Sequence, residues 1–175
     1  SGLNALFDPV PEPAEVAPGA VHVPGWLSLE QQAELVEACR TWGRGPVPFR
    51  AAKLPGGHEM SVQTVCLGWH WQPYKYSRVA EDAGGGRVIE FPEWLAEWGR
   101  KALADAYGPA AESAGAAYNP DTALINFYDD TAKMGMHQDK DEKTDLPVVS
   151  LSVGDDCLFR FGNTQTRTKP YTDLR

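Results

Sequence analysis

Cysteine is scarce in this 175-residue chain: Cys39, Cys66 and Cys157 are odd in number, far apart and form no CxxC pair. That argues against a disulfide framework and reads as reduced thiols inside a cell. No run approaches the roughly 20 apolar residues of a membrane-spanning helix, and the N-terminus lacks a basic segment followed by an apolar core. Membrane insertion and export are therefore not expected, and a cytoplasmic location is. Positive charge is also in short supply, with Lys+Arg 16 against Asp+Glu 24 and a net charge of -8, which weighs against wholesale electrostatic binding of nucleic acid. The deficit is uneven. Between Arg40 and Ala80 the bases Arg40, Arg44, Arg50, Lys53, Lys75 and Arg78 face a single acid, Glu59. That stretch is either a local basic face or a solvated loop surface. Internal repeats are absent as well.

What is present is a globular composition, 42% hydrophobic and 23% charged, long enough for one domain with its own core. Residues 1–27 are rich in proline and lack helical spacing, so they read as an extended arm. Ser28 and Gln31 make a capping box, after which Leu29, Ala33, Val36, Cys39 and Trp42 recur at helical spacing up to Gly43. A second helix is predicted from Pro92, with Glu93 beside its positive end and Trp94, Leu95, Trp98, Ala102 and Leu103 as its buried stripe. Short punctuated apolar segments at Met60–Leu67, Thr122–Tyr128, Pro147–Val153 and Leu158–Phe161 read as strands. The sum is an α+β arrangement in which helices brace an antiparallel sheet or roll. Gly84, Gly85 and Gly86 read as a surface loop, lacking the strand and helix that flank a phosphate cradle.

Candidate chemistry lies toward the C-terminal end. In Met136-His137-Gln138-Asp139 an imidazole and a carboxylate stand two positions apart, and in a strand both would point to one face and reach one ion. One neutral imidazole and one carboxylate suit a divalent metal of the iron type, and a second histidine would complete a facial triad with open positions. Chance alone supplies such spacings, so the pair is weak by itself. A calcium loop over Asp139, Asp141, Lys143 and Asp145 competes, but Thr144 stands where a glycine is needed and Ser150 where a bidentate glutamate is needed. Upstream, Asn126, Phe127 and Tyr128 close a strand, with an amide and a phenol on one face able to donate to a carboxylate. Buried structural partners would read the same. Trp69, Trp71, Tyr74 and Tyr76 alternate with His70, Lys75 and Arg78, a pattern suited to stacking an unpaired base beside its phosphates, or to aromatic loop packing.

Taken in order, the strings MSVQTVCLGW, YKYS, LINFY, MHQDKDE, SLSVG and FRFG resemble the AlkB family of Fe(II)/2-oxoglutarate-dependent nucleic-acid dioxygenases, from about Phe49 onward. The resemblance implies a double-stranded β-helix, or jelly-roll, core with N-terminal helices and a nucleotide-recognition lid. In those terms 1–27 is the arm, about 44–80 the lid and about 118–175 the core of a single domain. It implies that His137 and Asp139 are two of three Fe(II) ligands. It further implies that Asn126, Phe127 and Tyr128 contact 2-oxoglutarate, and that Trp69, Tyr74, Lys75, Tyr76, Asp141 and Arg167 contact the substrate. The implied reaction consumes O2 and 2-oxoglutarate, oxidises an N-alkyl carbon of a damaged base, and releases formaldehyde, succinate and carbon dioxide. The implied partner is alkylated single- or double-stranded DNA, or RNA, met by a monomer.

The family also carries a second iron histidine and a 2-oxoglutarate-binding arginine well after the aspartate. Here His22, His58 and His70 all precede His137, so the last strands of the roll are expected from polypeptide outside this sequence. Two alternatives stay open: the same oxygenase chemistry on a protein or small molecule, and a jelly-roll binding module without catalysis.

Overall fold

The structure is a computed structural model that describes residues 12–109, 117–140, 144 and 146–175. A hairpin of β1 (Ala14–Ala17) and β2 (Ala20–His22) leads to helix α1 (Leu29–Trp42). Strands β3 (Arg50–Lys53) and β4 (Glu59–Leu67) follow, then two small hairpins, β5 (His70–Gln72) with β6 (Lys75–Ser77) and β7 (Val79–Ala80) with β8 (Gly86–Arg87). Helix α2 (Glu93–Tyr107) precedes β9 (Ala123–Phe127), and β10 (Phe159–Phe161) pairs with β11 (Thr172–Leu174). Every strand pair is antiparallel, which makes the fold α+β.

The three-stranded sheet β3-β4-β9 is the frame on which the site is built. Its central strand β4 is flanked on both edges, and its second half is buried without alternation: Val65, Cys66 and Leu67 are all in the core. A strand covered on both faces reads as a continuous apolar run, and each fully buried valine or leucine contributes about 1.5–3 kcal/mol. Leu27, Leu35, Val47, Val62, Val88, Ala96, Leu103 and Tyr118 complete this core.

Helix α1 starts as its sequence indicates. Ser28 Oγ accepts from the Gln31 N–H at 3.1 Å and Gln31 Oε1 accepts from the Ser28 N–H at 2.9 Å, a reciprocal cap of about 1 kcal/mol. The buried face differs from the expected stripe: Leu29 is 83% exposed and Ala33 is exposed, while Leu35 is buried. Position 29 lies in the first turn, whose outer side meets solvent, so periodicity found the helix but placed its face one step off. The helix stops at Gly43, where a Cβ would collide with the Phe49 ring. Trp42 then stacks on Trp94 at 5.8 Å, Trp94 meets Trp98 edge-on at 5.1 Å, and Trp98 meets Trp26 at 6.5 Å. The tryptophans expected in the core are thus an aromatic ladder that joins α1 to α2, with Trp94 partly exposed.

Other expectations are corrected. The described part of the arm is a hairpin, turned at Pro18 and Gly19, where proline presets the first turn position and Gly19 takes the left-handed one with φ 77. Pro92 is the cap of α2, with extended backbone, rather than its first helical residue. Residues 147–153 form no strand, nor do His137 and Asp139, because neither segment finds a hydrogen-bonding neighbour among the described strands. Gly84 and Gly85 form the bend of the β7–β8 hairpin after a 3-10 turn at Glu81–Ala83, and Gly86 opens β8, rather than the three forming a free loop. No helix among the described residues is long and apolar enough to cross a membrane.

Candidate active site

Pairing of β9 along β4 decides the direction of its polar side chains. Asn126 lies opposite Thr64, and the Thr64 hydroxyl donates to Asn126 Oδ1 at 2.9 Å. Thr64 is buried while Asn126 is exposed, so the bond ties the amide oxygen to the core and leaves the rest of the amide toward solvent. With its oxygen engaged, the Asn126 NH2 group keeps its two N–H donors for another partner. Tyr128 follows two residues later, so alternation places it on the same side. Its hydroxyl lies 3.8 Å from Met134 Sδ, and partial burial, with the Cys157 sulfur a lesser cause, raises the phenol above its usual range, so it stays a donor at neutral pH. Phe127 points to the opposite side and packs on Phe49, with ring centroids 6.0 Å apart. That contact seats the strand.

Beyond β9 the chain turns back toward the sheet. Asp129 Oδ1 accepts from the backbone N–H and the hydroxyl of Thr131 at 2.9 and 2.8 Å, a side-chain turn of the kind aspartate favours. Lys133 then anchors to β4, its carbonyl accepting from the Ser61 hydroxyl and its N–H donating to Ser61 Oγ, both at 2.9 Å. The anchored segment delivers Met134, Gly135 and His137.

A carbonyl oxygen only accepts, so the 2.7 Å contact between His137 Nδ1 and the Gly135 carbonyl places a proton on Nδ1. In the neutral ring Nε2 then carries a lone pair, and it faces Asp139 Oδ1 at 3.4 Å. Two electron-rich atoms converge there, an arrangement that either a proton on Nε2 or a cation between them stabilises. Atoms bound at right angles to one divalent ion at about 2.1 Å each lie about 3 Å apart, so the pair fits two positions of such an ion. Both side chains are half exposed and accessible. Among the described residues no third histidine, cysteine or carboxylate joins them. Gln138, between them, points away and donates to the Thr164 carbonyl at 2.9 Å. That bond draws in the loop organised by Asn163, which carries the exposed Arg167. Asp141, Lys143 and Asp145 lie outside the described residues, and with them the calcium alternative.

The aromatic segment forms the β5–β6 hairpin. Its two-residue turn is Pro73 and Tyr74, and Tyr74 has φ 68, a left-handed conformation rare for a bulky side chain. The ring is 80% exposed at the hairpin tip. Lys75 pairs with Glu81 at 2.8 Å, and Tyr76 lies across from Trp71. Trp69 precedes the hairpin, donating from Nε1 to Asp121 Oδ2 at 3.2 Å, with the Arg78 guanidinium 3.9 Å from its ring centroid. Gly68 has φ 75, and a Cβ there would overlap the Asp121 carbonyl oxygen, so glycine lets the two chains touch beside Trp69.

Beneath the hairpin lies a cluster that sequence reading missed. His70 is 1% exposed, with Nε2 2.6 Å from Asp82 Oδ1 and 2.8 Å from Arg50 Nη2. Arg50 also reaches Asp82 at 3.0 Å and the Trp71 carbonyl at 2.7 Å. Burial lowers the His70 pKa; Arg50 lowers it further and Asp82 opposes both. The three residues come from β3, β5 and the 3-10 turn, and no local spacing links them. Two cavities flank this region, one of about 330 Å³ beside Gly68, Arg78 and Asp121 and one of about 450 Å³ beside Arg50, Lys53 and Asp82. Neither of these two cavities is lined by His137 or Asp139.

Residues 19–175 match the 2OG-Fe(II) oxygenase superfamily. An AlkB homolog of Caulobacter vibrioides, an alpha-ketoglutarate-dependent dioxygenase by name, is 34% identical over 171 residues, covering 95% of this chain and 72% of that protein. AlkB of Salmonella typhimurium is 36% identical over 166 residues, 91% and 72% of the two. The DNA N(6)-methyladenine demethylase ALKBH1D of Arabidopsis thaliana is 29% identical over 160 residues, and there the chain spans only 36% of the relative's length. Among solved structures, that of OsALKBH1 superposes with a TM-score of 0.69 at 29% identity, covering 85% of this chain and 73% of that one. The α+β frame is thus that of a jelly-roll oxygenase, and the chain belongs to the AlkB family of the 2OG-Fe(II) oxygenase superfamily.

Proposed function

We propose that the protein removes N-linked alkyl groups oxidatively from bases of DNA or RNA, as an Fe(II)- and 2-oxoglutarate-dependent dioxygenase acting as a cytoplasmic monomer. The observation that carries the reading is the convergence of His137 Nε2 on Asp139 Oδ1, with Nδ1 held by the Gly135 carbonyl. Iron bound there would supply oxygen activation, coupling 2-oxoglutarate decarboxylation to oxidation of the alkyl carbon. A metal-bound histidine needs its other nitrogen tied to an acceptor, and Gly135 meets that need. His137 and Asp139 would hold two coordination positions, with a third ligand from elsewhere in the protein.

The neighbouring residues bind and orient. The free amide donors of Asn126 and the protonated phenol of Tyr128 suit a dicarboxylate co-substrate. On the lid, Trp69 offers an indole, Tyr74 an exposed ring, Tyr76 a second ring, and Lys75 a cation for phosphate. Asp141 follows the metal pair by two residues and Arg167 lies on the loop that Gln138 draws in, and the two complete the substrate set. A base reaches the site only after leaving its stack, which costs a few kcal/mol and least where the base is damaged or unpaired. Stacking on Trp69 returns about 1–3 kcal/mol.

The test uses the full-length natural protein. Succinate formation stimulated by an oligonucleotide with a methylated adenine is expected, and His137→Ala should reduce it by about a hundredfold or more while weakening Mn(II) binding. Undiminished turnover in that variant would refute the reading.

A further inference from the structure

Hairpin β5–β6 is a two-stranded sheet of its own, outside the ladder β3-β4-β9, so its place relative to that sheet is set by side chains and loops rather than by strand pairing. Arg50 of β3 makes one such link, its Nη2 donating to the Trp71 carbonyl of β5 at 2.7 Å. Asp82 of the 3-10 turn makes a second. Its Oδ1 lies 2.6 Å from His70 Nε2 and its Oδ2 lies 3.0 Å from Arg50 Nη2. One carboxylate thus joins the first residue of the hairpin to the main sheet.

Proton counting shows how that bridge is held. A carboxylate only accepts, so the short contact puts a hydrogen on His70 Nε2. Arg50 Nη2 has two hydrogens, which the Trp71 carbonyl and Asp82 Oδ2 take. The 2.8 Å approach of Nη2 to His70 Nε2 is then one donor beside another, tolerated because Asp82 accepts from each. Among the described residues no other acceptor meets the His70 ring, whose Nδ1 is buried without a partner. The cluster is mostly out of water, where charge-assisted bonds hold more strongly.

Toward its tip the hairpin has less support. The cavity of about 450 Å³ is lined by Lys53 and Leu54 of the β3–β4 turn and by Gln72 and Pro73 of the hairpin, so the two turns do not close-pack there. Tyr74 follows Pro73 and is 80% exposed. The position of its ring therefore depends on the anchored base of the hairpin.

We propose that Asp82 is a positioning residue for the lid: by accepting from His70 and Arg50 together it fixes the base of hairpin β5–β6, and through it the place of Tyr74 against a nucleic-acid strand. The proposal rests on the reading of this hairpin as the nucleotide-recognition lid. Charge alone predicts the opposite sign. Removing a carboxylate near a strand of phosphates strengthens binding if only electrostatics matters, and weakens it if Asp82 holds the lid.

The experiment measures equilibrium binding of a fluorescent single-stranded oligonucleotide with one methylated adenine to the full-length protein loaded with Mn(II), beside the Kd of 2-oxoglutarate. Asp82→Asn should weaken the oligonucleotide about three- to tenfold and leave the 2-oxoglutarate Kd unaltered. In a Tyr74→Ala background the same substitution should cost less than about twofold, because its effect passes through that ring. His70→Gln, whose amide still offers an N–H to Asp82, should keep most of the affinity, and His70→Leu should lose it. Tighter or unchanged oligonucleotide binding in Asp82→Asn, an equal rise in both Kd values, or the same loss with and without Tyr74 overturns the proposal. Should Asp82→Asn not fold, the two His70 variants decide in its place, and equal affinities there overturn it. If Tyr74→Ala alone leaves the affinity intact, the lid reading fails and the proposal with it; if Tyr74→Ala weakens binding and Asp82→Asn adds to it independently, only the role of Asp82 fails.

Discussion

At His137 a single hydrogen bond divides the two ring nitrogens into a donor and a free lone pair. The same economy governs Asn126, whose oxygen is occupied by Thr64 so that its N–H groups face outward. Thr64→Val keeps the shape and removes only that hydroxyl. We expect a loss of about 1 kcal/mol in folding stability, read from the urea midpoint. The 2-oxoglutarate Kd of the Mn(II)-loaded protein should rise several-fold, and an unaltered Kd would mean that the amide needs no such support. His70 supplies a pH dependence of known direction. Its pKa in the fold lies below its ordinary value of 6.5, so the neutral form is favoured by folding, and the unfolded chain takes up a proton first as pH falls. Stability should be full above about pH 6.5 and decline as pH drops toward the lower folded value. Melting temperatures at pH 7.5 and 5.5 should show the decline, and His70→Asn should lessen it; an equal decline in that variant would assign the effect elsewhere.

At the scale of elements, the joint between the end of β4 and the start of β9 positions both halves of the site. Gly68 makes it, because its φ of 75 and its approach to the Asp121 carbonyl admit no Cβ. Gly68→Ala should cost about 1–3 kcal/mol through strain at that backbone position, visible as a lower urea midpoint. Trp69 should also lose its Asp121 partner, so its fluorescence should change at native conditions. A variant as stable as the parent would show that the two chains separate at little cost. Much of this level was legible in advance. Ser28 and Gln31 declare their helix start because a capping box spans only three residues, and β4 and β9 appear as apolar runs in the sequence. His137 and Asp139 lie in no described strand, since a strand requires a partner and the chain there is held by Ser61 and by side-chain turns instead. Their convergence survives because an extended segment can still bring residues two apart together.

For the whole molecule, the buried residues among those described all lie at or before Tyr118, whereas Leu146, Val148, Leu158 and Phe159 are more than half exposed. A ligand held by His137 and Asp139 should stabilise the fold by linkage. Mn(II) with 2-oxoglutarate at a hundred times the Kd should add about 2.7 kcal/mol, raising the melting temperature, and a chelator should reverse it. A melting temperature indifferent to both would argue against a metal site at this pair. What the residues alone determined were the features with short reach: caps, apolar runs, a His-x-Asp spacing and an aromatic, basic stretch. Only the tertiary structure decided that Thr64 faces Asn126, that Arg50, His70 and Asp82 share one buried cluster, and that Arg78 covers Trp69. Strand register and loop closure bring together residues tens of positions apart, and that depends on how all the packed surfaces fit at once rather than on any local pattern.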